Sequence, residues 1–98
     1  MAWPKEVPIL TADDMFKKDN DGPGGRHCLV GWKYNTFKNF RERCTVHLKL
    51  IDEIKDLTGY RQDITEFNDK KGRHLSTLAR VWNRAMYALG YDVKKGDR

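Results

Sequence analysis

The chain has 98 residues, 39% of them apolar and 34% charged, with a formal net charge of +5. That length suits one domain with a modest core; no run nears the roughly 18 apolar residues of a membrane span, and 11% aromatic content is too high for a disordered segment. An integral membrane protein is therefore not expected. No apolar stretch follows Met1, so a cleaved secretory precursor is not expected either.

Residues 1–10 contain Pro4 and Pro8, which forbid a helix interior and predict an extended arm. Its apolar side chains Trp3, Val7, Ile9 and Leu10 are expected to dock on the body. Thr11 followed by Asp13 and Asp14 predicts a capped short helix over 12–18, with Met15 and Phe16 as its apolar content. Residues 19–25 hold three Gly and a Pro and must be a loop. Asp19-Asn20-Asp21-Gly22 hints at a calcium loop, but Lys17 and Cys28 stand where acids would be needed. The Gly-rich run to Gly25 lacks the Lys-Ser/Thr of a phosphate loop. Cys28, Leu29, Val30 and Trp32 form an apolar knot, either a short helix or a buried strand.

Asn39 and Glu42 have capping-box spacing. Beyond them Phe40, Cys44, His47, Leu48, Ile51, Ile54 and Leu57 recur at helical steps, predicting a helix over 40–58 that Gly59 ends. On that reading Cys44 is core. Arg41, Glu42, Arg43, Lys49, Asp52, Glu53, Lys55 and Asp56 then alternate in sign on a solvated face. Asp63 and Glu66 open a turn of helix with Ile64 and Phe67, which residues 69–72 break. Leu75, Leu78, Ala79, Trp82, Ala85, Met86 and Leu89 trace a last helix over 74–89, and the tail 91–98 reads as polar and frayed. The expected fold is all-α: one domain of four or five helices, the two long ones side by side.

Chemistry is sparse. Cys28 and Cys44 form no C-x-x-C pair and no disulfide framework, so a reduced, cytoplasmic setting is expected. His27, His47 and His74 show no zinc spacing, and no metal or cofactor is expected. Cys28 beside His27 is a candidate nucleophile with a base, set against a Cys that behaves as a small buried hydrophobe. Charge is uneven: residues 1–25 sum to −2, 26–62 to +4 and 63–98 to +3. Arg73, Arg80 and Arg84 are candidates to reach phosphates, although the helix pair that repressor-type domains place before such a helix is missing.

Two segments together resemble a known family. Gly25-Arg26-His27-Cys28-Leu29-Val30-Gly31 is similar to the G-R-x-C-x-x-G element of a family of small helical proteins from bacterial and phage genomes that carries a domain-of-unknown-function label. Ile64-Thr65-Glu66-Phe67-Asn68-Asp69-Lys70-Lys71-Gly72-Arg73 is similar to its I-x-x-[WF]-N-D-x-x-G-R element. Trp32 stands where that family has a small residue, and the intervening helix is longer and more charged. The resemblance implies an architecture and a link to mobile elements, not a reaction. Physically, Asn68 and Asp69 can bond their own backbone at a helix end, Gly72 permits positive φ, Arg73 can pair with a carboxylate or helix end, and Gly31 lets another backbone approach.

The expected function is a non-enzymatic helical protein-binding module, phage-derived, that modulates or inhibits a bacterial host protein or defence complex. Its candidate contact residues are Trp3, Arg26, Lys70, Lys71, Arg73, Arg80 and Arg84, while Cys28, Gly31, Asn68, Asp69 and Gly72 serve the fold. Two alternatives stand beside it: a basic nucleic-acid-binding regulator and a Cys28-dependent enzyme.

Overall fold

The computed structural model describes residues 5–17 and 22–94; the expectations placed on Trp3, on Asp19–Asp21 and on the tail at 95–98 lie outside them. The chain runs through strand β1 (Glu6–Pro8), single 3-10 turns at Ala12–Asp14 and Pro23–Gly25, helices α1 (Leu29–Thr36), α2 (Phe40–Thr58), α3 (Ile64–Asp69) and α4 (Leu75–Ala88), and strand β2 (Asp92–Lys94). α4 is the hub. α2 packs along one side of it and the two strands and first 3-10 turn along another, while α1 and α3 close against α2 and each other.

The fold is mostly helical but not all-α, because the extended arm and the tail form a parallel ribbon. Glu6, Val7 and Pro8 stand opposite Asp92, Val93 and Lys94. Ile9 N–H donates to the Lys94 carbonyl at 2.7 Å and Asp92 N–H to the Lys5 carbonyl at 2.9 Å. The tail therefore does not fray at 92–94. Asp92 and Lys94 are polar, but Val93 packs against the core, and the docked arm leaves backbone groups that need partners, which the tail supplies. A two-stranded ribbon is marginal alone, so α4 anchors it. Trp82 Nε1–H donates to the Pro8 carbonyl at 3.2 Å. Asn83 clamps Leu10, its Oδ1 accepting from Leu10 N–H and its Nδ2 donating to the Leu10 carbonyl, both at 2.8 Å. Val7 and Leu10 are buried as expected of the arm.

Of the predicted helix over 12–18, the described part, 12–17, shrinks to one 3-10 turn at Ala12–Asp14, and Lys18 lies outside the described residues. Thr11 does meet Asp14, whose carboxylate accepts from the Thr11 N–H at 2.7 Å and hydroxyl at 3.2 Å. Met15 then turns extended and bridges to His27. Phe16 N–H donates to the His27 carbonyl at 2.9 Å. Two adjacent apolar residues make no helical stripe, whereas an extended backbone sends Met15 fully into the core. The knot at 28–32 resolves as the start of α1. Cys28 is its N-cap, with Sγ accepting from Gly31 N–H at 3.4 Å.

α2 starts and stops where expected. Asn39 Oδ1 accepts from the Arg41 and Glu42 N–H groups, and Gly59 ends the helix at φ 85°. Only half the capping box forms, because Glu42 accepts from the Tyr91 hydroxyl at 3.4 Å instead of returning to Asn39. The larger correction is rotational. α2 buries Val46, Leu50, Glu53 and Ile54, whereas Phe40 is 76% exposed, Leu48 54% and Leu57 48%. Cys44 is exposed, not core. The helix carries two apolar stripes that share Ile54, and α4 takes the one through Leu50. α4 buries Leu78, Ala79, Trp82, Ala85 and Met86 as expected, and Val81 besides. Trp82 has Phe37 and Trp32 within 6.2 and 6.4 Å between ring centroids.

Candidate functional site

Because α4 takes the Leu50 stripe, the other stripe of α2 stays outside. Phe40, Cys44 and Leu48, spaced four apart, share one side of the helix and line a groove with Tyr34 and Lys33 of α1 and with Arg43 and His47. The chain turns at 37–39 between the two helices, which brings Lys33 against α2. Lys33 is only 6% exposed. Its Nζ lies 3.0 Å from His47 Nδ1 and 4.8 Å from the Tyr34 ring centre. The Arg43 guanidinium lies 4.9 Å from the same ring and donates to the Phe37 and Lys38 carbonyls at 2.7 and 3.1 Å. Tyr34 is thus held against two cations.

Burial lowers the Lys33 ammonium from its usual pKa; the electrostatic contribution of nearby Cys44 opposes that and the Arg43 charge adds to it. Burial also lowers His47, and the neighbouring Lys33 charge lowers it further. Asp63 acts on both from a distance in the raising direction, yet no carboxylate pairs with Lys33 or His47 among the described residues. A basic pair therefore sits beneath an apolar groove. Sequence reasoning missed Lys33, Tyr34 and Arg43. The available signal was the second α2 stripe through Val46, Leu50 and Ile54, which would have turned the Phe40 side outward.

The residues singled out from the sequence are spread over other parts of the surface. Arg26 is half-buried before α1, and Lys70 and Lys71 are exposed after α3. Arg73 precedes α4 and lies 4.0 Å from the centre of the Phe67 ring, its Nε–H donating to the Phe67 carbonyl at 3.1 Å. Arg84 Nε is 3.3 Å from Glu53 Oε2, and Lys49 Nζ is 3.8 Å from Glu53 Oε1. Arg80 and Arg84 border a cleft shared with Glu53 and Asp56, so acids accompany them.

Cys28 is buried, and the His27 ring stands edge-on to Trp32 at 4.8 Å. Gly31 is buried in the first turn of α1, Asp69 is exposed, and Gly72 takes φ 83°. Asn68 does more than turn chemistry. It is 1% exposed, its Oδ1 accepts from Leu29 N–H at 2.9 Å, and its Nδ2 donates to the Lys17 and Phe16 carbonyls at 2.8 and 3.2 Å. This one amide joins the two sequence elements singled out above and ties both to the segment before them.

No group of three or more His, Cys, Asp or Glu side chains gathers as a metal site among the described residues, and no helix there is long and apolar enough to cross a membrane. In comparisons with known proteins the chain matches no family model, no curated protein and no solved structure.

Proposed function

We propose that this protein is a helical binding module that engages a partner protein through the outer face of α1 and α2. The observation that carries the reading is the apolar row Tyr34, Phe40 and Leu48, exposed by 46%, 76% and 54%, which lines one groove together with Lys33, Arg43 and His47. Aromatic and aliphatic side chains gathered with Arg on an exposed face have the composition of an interface centre. The resemblance to small helical proteins of bacterial and phage genomes points to a bacterial partner, whose activity the bound module modulates. Nucleic-acid binding is the less favoured reading, because Arg84 faces Glu53 and Arg73 is occupied by Phe67.

A photocrosslinker attached at the exposed Cys44 tests the proposal. It should capture one bacterial protein in stoichiometric yield, in competition with unlabelled protein but not with a Phe40→Glu variant. Equal competition by that variant, or no captured protein, would overturn the reading.

A further inference from the structure

The groove combines two features that rarely share one place. Its walls are the apolar side chains of Phe40 and Leu48 with the ring of Tyr34, yet the rest of its lining is Lys33, Arg43, His47 and Cys44, with no Asp or Glu among the described residues. Lys33 has three N–H donors but, among the described residues, one hydrogen-bond partner, His47 Nδ1 at 3.0 Å. A cation withdrawn from water without a counter-charge is costly, and an incoming carboxylate relieves that cost. Arg43 has committed its Nε–H and one terminal N–H to backbone carbonyls. Among the described residues, the buried cation left without an anion is therefore Lys33.

We infer that the Lys33–His47 pair receives a carboxylate from the partner, so that the segment docking on this face presents an Asp or Glu beside a bulky apolar side chain. The inference rests on the binding-module reading and specifies its partner chemistry. The apolar residue packs among Tyr34, Phe40 and Leu48, and the carboxylate accepts from Lys33 Nζ, a charge-assisted bond in partly desolvated surroundings. A protein segment is the fitting occupant. The row from Phe40 to Leu48 runs about 12 Å along an exposed helix, a surface that suits a helix or strand better than an acyl chain needing an enclosed pocket.

The test is a titration of the full isotope-labelled protein, followed by NMR, with acetyl-Leu-Phe-Glu-Leu-Phe-amide and with its Gln counterpart. The Glu peptide should shift Phe40, His47 and Leu48 saturably and bind about tenfold tighter than the Gln peptide, the usual scale of one charge-assisted bond. In Lys33→Met, checked for an unchanged fold by its spectrum, that tenfold preference should vanish while apolar binding persists. Equal affinity of the two peptides for the wild type would overturn the carboxylate site and leave the docking face standing. No shift from either peptide would remove both. Decanoate binding tighter than the Glu peptide would assign the groove to a lipid and overturn the inference. So would a dimer in sedimentation that Leu48→Glu abolishes, which would place a second copy there.

Discussion

α2 and α4 lie against each other and are built on opposite plans. α4 has one apolar stripe, Leu78 to Met86 with Trp82 at its centre, and all of it is buried. α2 has two stripes. One buries Val46, Leu50 and Ile54 and carries Glu53, held by Arg84 and Lys49; the other, from Phe40 through Leu48, faces outward. A helix with one stripe has one way to fold onto a core. A helix with two has a face to spare, and on α2 that face lies beside a buried Lys.

The contrast can be broken at its strongest point first. Trp82→Ala should cost about 4 kcal/mol, the scale of a large core ring removed with its cavity left behind; denaturant unfolding with a loss under about 1 kcal/mol would show that α4 is not the spine of the core. Leu50→Ala should cost about 3 kcal/mol by the same mechanism. Asn68→Ala should cost about 2 kcal/mol, since it strands the buried Leu29 N–H and unties the chain near Phe16; a neutral result would reduce the amide to a surface turn.

Acidification should have a smaller effect of defined sign. His47 is lowered in the folded state, so below pH 6.5 the unfolded chain takes up a proton that the folded chain resists. Its contribution to stability is complete above that pH and shrinks as pH falls toward the folded value. His47→Gln should flatten this part of a Tm-against-pH curve. The smallest effect sharpens the comparison most: Leu48→Ala, two residues from Leu50, should change stability by no more than about 0.5 kcal/mol.

What was legible in the sequence follows the same division. The limits of α2, its Gly59 stop and the buried face of α4 apart from Val81 were readable because caps and a single stripe act locally. The choice between the stripes of α2 was not, since it depends on how that helix meets α4 and α1. Cys44 was misplaced for this reason, and Lys33 drew no attention. Asn68 was readable as a turn former, but its true partners at Leu29, Phe16 and Lys17 lie far along the chain. Glu42 left its capping box for Tyr91, a partner equally distant in sequence. The strand at Asp92–Lys94 has no apolar pattern to announce it; its hydrogen bonds to the arm define it.

The parallel pairing of β1 with β2 has a consequence for how the molecule comes into being. Val7 meets Val93, a contact that encloses nearly all of the described chain, and closing so long a loop carries its full entropic cost before any bond repays it. The arm's other anchors, Trp82 and Asn83, also come late in sequence. During synthesis β1 therefore has no strand to pair with while the four helices are being translated. Trp82 and Asn83 can hold the arm first, but its ladder of backbone bonds closes only after β2 has been made.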